Sequence, residues 1–114
     1  MDRHERRKII ELREQVSLLQ RAITQARILL LRSEHALMQE NVKIHEIMIY
    51  IVIAKTQNGE RRKEILEDLQ DVLSEMEMNR EFLRMEREIM EMNLMECRKR
   101  YLRTTERYLK AREA

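Results

Sequence analysis

The chain has 114 residues, of which 39% are charged and 4% are aromatic, and its formal net charge is +2. It contains one glycine, no proline and no tryptophan. This composition is typical of long amphipathic helices and argues against a compact globular domain with a single core. The small net charge predicts no overall attraction to polyanions.

One Asn-Gly pair, Asn58 and Gly59, lies close to the middle of the chain. Both residues tolerate the left-handed backbone conformation that often ends a helix. We therefore predict an all-α fold with two long antiparallel helices that form a coiled-coil hairpin, a single module over residues 1–114. The predicted elements are a helix at about 3–56, a tight turn at about 57–60 and a second helix at about 61–112.

Folding back at this turn should bring Leu19 near Cys97 and Leu30 near Arg87, to within one to three residues. A second arrangement is one unbroken parallel coiled coil. A single glycine costs only about 1 kcal/mol inside a helix, so the unbroken helix is disfavoured rather than forbidden. We favour the hairpin because the glycine stands beside an asparagine at the midpoint of the heptad pattern.

The first helix carries a regular apolar pattern with alternating spacings of three and four. Its members are Ile9, Leu12, Val16, Leu19, Ile23, Ala26, Leu30, Ser33, Leu37, Glu40, Ile44, Ile47, Ile51 and Ala54. An average spacing of 3.5 predicts one continuous coiled-coil seam. The two polar members, Ser33 and Glu40, either fix the register of the pairing or mark a locally hydrated seam.

The second helix has a less regular pattern. One register contains Leu69, Val72, Met76, Asn79, Leu83, Glu86 and Met90, and a shifted register continues with Leu94, Cys97, Tyr101, Thr104, Tyr108 and Ala111. The shift of four residues resembles a stutter and predicts local unwinding of the supercoil near Met90.

Each helix also carries a second apolar stripe, away from its seam. On the first helix the stripe contains Ile28, Leu31, His35, Met38, Val42, His45, Ile49 and Val52, and on the second it contains Met78, Phe82, Met85, Ile89 and Met92. A helix that is apolar on two sides belongs in a larger bundle, so we predict a dimeric four-helix bundle or a bundle with other chains. Methionines adapt to irregular surfaces, which suits either bundle core or a surface that accepts a partner helix.

We predict that contacts to a second copy or to other coiled-coil proteins involve apolar residues of both helices. These are Ile28, Leu31, Met38, Val42, Ile44, Ile49, Ile51, Val52, Met78, Phe82, Met85, Ile89 and Met92.

Catalytic, cofactor and metal sites are not expected. The histidines His4, His35 and His45 and the single cysteine, Cys97, do not have the close spacing of zinc ligands. One glycine cannot form a glycine-rich phosphate loop, and a pair of helices offers no dry pocket for a small-molecule substrate. We therefore expect a protein without enzymatic activity, with Cys97 acting as a small apolar seam residue.

The longest apolar run, Ile47–Ala54, is much shorter than the roughly 20 residues of a transmembrane helix. The charged start, Met1–Lys8, is not followed by an apolar segment with a cleavage site, which argues against a secretory signal. A lone cysteine rules out an intramolecular disulfide framework. We expect an intracellular protein, in the cytoplasm or nucleus.

These patterns predict a structural or adaptor protein that mediates oligomerisation in a cytoskeletal, centrosomal, ciliary or chromosome-associated assembly. The alternative is a module that binds nucleic acid or an anionic membrane surface through the basic terminal end of the hairpin. The residues expected to contact a polyanion are Arg6, Arg7, Lys8, Arg98, Lys99, Arg100, Arg103 and Arg107.

Overall fold

A computed structural model describes residues 2–113 of the chain. These residues form two α-helices, α1 (Arg3–Thr56) and α2 (Arg62–Glu113), and contain no strand. The helix bounds agree with the predicted ones to within one residue at each end. The prediction of an all-α fold with two long antiparallel helices joined at Asn58 and Gly59 is confirmed.

A capping box starts α1. The Glu5 N–H donates to Oδ1 of Asp2 at 2.8 Å, and the Asp2 N–H donates to Oε2 of Glu5 at 3.4 Å. Each side chain therefore satisfies a backbone donor that has no partner within the helix. The acidic side chains also lie where the helix dipole favours negative charge.

Residues 57–61 connect the helices. The Gln57 N–H donates to the Ala54 carbonyl at 3.4 Å, and the Arg62 N–H donates to the Gly59 carbonyl at 3.2 Å. No residue between 2 and 113 has a positive φ, so neither Asn58 nor Gly59 uses the left-handed conformation that made the pair a candidate for a helix end. Five residues reverse the chain here without that conformation. A Cβ atom built on Gly59 meets nothing within 4 Å.

The chain divides into two compact units, and each unit takes a segment from both helices. Unit 1 comprises Met1–Leu31 and Ile89–Ala114. Within it the helix segments are antiparallel, and the Gln20 side-chain amide donates to the Tyr101 hydroxyl at 3.2 Å. The buried side chains of this unit are Leu12, Ala26 and Leu94.

Unit 2 comprises Arg32–Glu88 and contains the connection between the helices. Its helix segments are also antiparallel, and Nε of Arg87 lies 3.8 Å from Oε1 of Glu34. The buried apolar side chains are Leu37, Ile44, Ile51 and Ala54, and the buried polar ones are Ser33 and Glu40.

The pairing of the helices is displaced by about one helical turn from the predicted one. Arg87 pairs with Glu34 rather than with Leu30, and the contact of Gln20 with Tyr101 shows the same displacement in unit 1.

The predicted seam of α1 is confirmed, because every one of its fourteen members is buried or half-buried. The polar members follow the same pattern: Ser33 is 6% exposed and Glu40 is 7% exposed. The Ser33 hydroxyl has no hydrogen-bond partner. Ser33 and Glu40 therefore lie inside the seam, and the seam continues to face the second helix at these positions.

The seam of α2 differs from the predicted one. Leu73 and Arg80 are half-buried, whereas Val72 and Asn79, which were predicted to face inwards, are exposed. With this change, the buried and half-buried residues of α2 continue in steps of three and four from Leu66 to Ala111 without a shift. The predicted stutter near Met90 is therefore absent from the heptad pattern of the described helix.

Candidate interaction surfaces

The apolar stripe on the outside of α1 is exposed to solvent. We call it the outer stripe, and it comprises Ile28, Leu31, His35, Met38, Val42, His45, Ile49 and Val52. Exposed fractions of its apolar members range from 44% for Ile28 to 64% for Leu31. On a helix with 3.5 residues per turn, this stripe lies about 150° around the axis from the seam. Within the chain, α2 therefore does not cover it.

One imidazole of the outer stripe is held by the backbone. Nδ1 of His45 lies 2.7 Å from the carbonyl oxygen of Asn41. Because a carbonyl only accepts, Nδ1 carries a proton, and Nε2 is the ring nitrogen that is left for another partner. The ring is exposed. His45 and the exposed His35 are thus the polar members of a stripe that is otherwise apolar.

Two residues predicted to contact a partner lie elsewhere. Ile44 is 2% exposed and Ile51 is 7% exposed, and both belong to the intramolecular seam of unit 2. Their apolar surface is already covered by the second helix. A charge at either position therefore tests the folding of the hairpin, not the binding of another chain.

The second exposed stripe lies on α2. This methionine stripe comprises Met78, Phe82, Met85, Ile89 and Met92, and its exposed fractions range from 61% to 74%. It also lies on the side of its helix away from the seam. Within unit 2, Met78, Phe82 and Met85 therefore face away from α1. One partner helix cannot cover these residues and the outer stripe together.

Several exposed apolar residues were missed in the sequence. Met95, Leu102 and Leu109 are 55%, 62% and 49% exposed and recur every seven residues on α2. Tyr50 and Ile53, near the connection, are 55% and 46% exposed. The seven-residue interval was visible in the sequence, but it places only one residue on every second turn. That is too sparse to stand out beside the denser stripes.

The predicted polyanion-binding residues are all exposed and lie in unit 1, but they are spread along the helices rather than gathered at one end. The contact of Gln20 with Tyr101 places the Arg98–Arg100 triplet level with Arg21. At ~1.5 Å per residue, Lys8 is then about 20 Å away along the helix axis. Arg6 and Arg7 belong with Lys8, and Arg103 and Arg107 occupy the interval.

Two of these basic side chains already have acidic neighbours. Nε of Arg7 lies 3.5 Å from Oε1 of Glu11, and Nε of Arg100 lies 3.4 Å from Oε1 of Glu96. Both pairs are exposed, so each contributes little to stability. They do lower the local positive charge that a polyanion would meet.

Residues 2–113 contain no group of three His, Cys, Asp or Glu side chains that could hold a metal ion. Cys97 is a free thiol and is half-buried in the seam of α2, at a position that fits its predicted role as a small apolar residue. Neither α1 nor α2, over the described residues, has a stretch long and apolar enough to cross a membrane.

Comparison with models of protein families, with curated proteins and with solved structures gives no match for this chain.

Proposed function

We propose that this protein is a non-enzymatic structural or adaptor protein of the cytoplasm or nucleus, which joins protein chains through the outer faces of its two helices. The observation that carries the proposal is the exposure of the outer stripe and the methionine stripe. Soluble monomers rarely leave contiguous apolar surfaces of this kind uncovered, because covering them is favourable by about 25 cal/mol per Å².

The accessible surface supports the same conclusion. It amounts to 9489 Å² for the described chain. A compact protein of 14.0 kDa is expected to expose only about 6,700 Å². Two helices cover each other along one face only, so the remaining apolar surface calls for further chains.

The position of the two stripes favours an adaptor over a simple dimer. Because the stripes face away from each other within unit 2, the protein can bind one chain through α1 and another through α2. Assemblies with many coiled-coil components, such as cytoskeletal, centrosomal, ciliary or chromosome-associated ones, use subunits of this kind. The partners are a second copy, other coiled-coil proteins, or both.

Binding of a polyanion is the weaker candidate. The basic residues are spread along unit 1, and Arg7 and Arg100 pair with acidic residues. Tight electrostatic binding needs several cations that contact neighbouring phosphates at once. No observation favours this function over the binding of protein chains.

The proposal is tested by measuring the solution mass and the helicity of variants with charges in the outer stripe. In Val42→Glu/Ile49→Glu both changes are on the exposed side of α1, so helix content should persist while self-association is lost. Gln70→Glu/Asn79→Glu adds the same charge at exposed polar positions of α2 and should behave like wild type. A stripe variant that keeps the wild-type mass would contradict the assignment of this surface.

A further inference from the structure

We propose that two copies of this chain pair through their outer stripes, with the two α1 helices antiparallel and a two-fold axis between Met38 and Val42. The proposal rests on the proposed function, because it assigns the self-association surface. A second copy is the occupant of the stripe. The order of residues along the stripe, and along the charged flank beside it, supports this pairing.

The order of apolar residues and histidines along the outer stripe is the same from either end. With the axis level with residue 40, Met38 of one copy opposes Val42 of the other, and His35 opposes His45. Further out, Leu31 opposes Ile49, and Ile28 opposes Val52. Apolar residues thus meet apolar residues, and the imidazoles meet each other. A symmetric dimer requires a self-complementary patch of this kind.

The histidine pair can give each His45 ring a partner for both of its nitrogens in the contact. The Nδ1 proton of His45 is donated to the Asn41 carbonyl, so Nε2 of the neutral ring is an acceptor. His35 of the second copy lies level with it and can supply an N–H donor. The symmetry repeats this contact on the other side of the axis.

The charged flank of the stripe selects the antiparallel direction. Arg32 and Glu46 are exposed, and neither makes an ion pair with another residue between 2 and 113. In the antiparallel dimer Arg32 of each copy comes within two residues, about 3 Å along the axis, of Glu46 of the other, and the two copies of Gln39 come equally close to each other. Parallel pairing would instead place Arg32 of one copy beside Arg27 of the other, which are like charges. On the other flank Arg27 and Lys55 come within two residues of each other, but at the ends of the contact, where both remain in water.

This dimer differs from a bundle in which each helix touches two neighbours. The two α1 helices lie side by side at the centre, and each α2 helix lies on the outside. The methionine stripe of each copy consequently stays free for another partner. A dimer of this form has two such surfaces, as an adaptor requires.

A charge swap tests the pairing. Arg32→Glu and Glu46→Arg should each weaken the dimer by about tenfold at low salt, because each introduces like-charge contacts twice. Arg32→Glu/Glu46→Arg should restore the affinity to within about threefold of wild type. These residues are about 21 Å apart on one helix, so restoration cannot arise within a chain. The dissociation constants are measured by sedimentation equilibrium.

Crosslinking tests the direction independently. In a Cys97→Ala background, Gln39→Cys should be linked between copies by a short bismaleimide, because residue 39 lies beside the axis. Ile53→Cys lies on the same flank of α1, and its two copies should be about 40 Å apart and remain unlinked. Parallel pairing would link both variants equally.

The possible outcomes separate this inference from the proposed function. Restoration by the double swap together with selective linking through residue 39 supports the antiparallel dimer. If the wild-type chain is a dimer but shows neither restoration by the double swap nor selective linking, the inference is overturned. Self-association would then occur through another face. A wild-type chain with the mass of one copy at all concentrations overturns both the inference and self-association.

Discussion

Replacing Glu40 by leucine is expected to stabilise the hairpin. Glu40 is 7% exposed in the seam of unit 2. Its ion-pair contact is with Nζ of Lys43 at 4.0 Å, and the Lys43 side chain is 61% exposed. Arg80 lies level with Glu40 across the seam, but its Nε is buried without a hydrogen-bond partner. The carboxylate is therefore taken out of water with little compensation.

The expected gain follows from two contributions with the same sign. Burying a leucine side chain stabilises by about 1.5 to 3 kcal/mol. Removing a buried and weakly paired carboxylate avoids a desolvation cost of similar size. The methylene groups of Glu40 already cover part of the seam, so the difference from leucine is smaller than the sum. We expect the free energy of unfolding to rise by about 2 kcal/mol, and Tm by about 10 °C.

The assay is urea unfolding followed by far-UV circular dichroism, at one fixed protein concentration because self-association also contributes to stability. Glu67→Leu is the matched control. Glu67 is exposed on α2, so the same substitution there should change the free energy of unfolding by less than about 0.5 kcal/mol.

A Glu40→Leu protein that is less stable than wild type would refute the reasoning. Such a result would mean that Glu40 has a stabilising interaction that the contact with Lys43 does not represent. Equal gains in Glu40→Leu and Glu67→Leu would also refute it, because the effect would then be independent of burial.

Three further substitutions test the fold, and one charge reversal tests the weaker candidate function. Gly59→Ala should leave stability unchanged or raise it by up to about 1 kcal/mol in urea unfolding, because Gly59 has no positive φ and its Cβ site is open; a clear loss would contradict this conformation. Asp2→Ala should cost about 1 kcal/mol in the same assay, since it removes the cap of α1, and no loss would mean that the capping box is dispensable. Ile44→Glu should abolish most helicity, whereas a folded variant would show that the seam tolerates a second buried charge. Reversing the three charges of Arg98–Arg100 should leave retention on heparin nearly unchanged at physiological salt, and a large loss would revive the binding of polyanions.

Much of α1 could be predicted from its sequence. Its apolar residues keep the heptad spacing, and the polar Ser33 and Glu40 interrupt the composition without moving the seam. Because flanking seam members such as Leu37 and Ile44 are buried, Ser33 and Glu40 on the same side of the helix must also face the second helix. Tertiary packing therefore overrides the preference of single residues for water.

The seam of α2 was harder to predict because two registers compete. Val72 and Leu73 are both apolar, so the choice depends on whether Asn79 or Arg80 faces inwards. Apolar content alone favours neither. The structure turns Arg80 inwards, where a long side chain can cover seam surface with its methylene groups. A classification of residues as only polar or apolar cannot predict that Arg80 faces inwards.

The sequence predicts the residues that form the two stripes, but it does not predict that these residues are exposed in the hairpin. The spacing of the outer stripe and of the methionine stripe is evident in the sequence, whereas their coverage depends on the direction in which the second helix packs. Ile44 and Ile51 illustrate the limit. Both are strongly apolar and neighbour the outer stripe, yet both are covered within the chain.

The most direct test of the central claim is the mass of the wild-type chain in solution, measured by sedimentation equilibrium over a wide range of concentrations. The central claim is that the outer faces of the hairpin bind further protein chains, beginning with a second copy. It predicts a reversible transition to twice the chain mass of 14.0 kDa. A fully helical chain that keeps the single-chain mass at every concentration would contradict the claim.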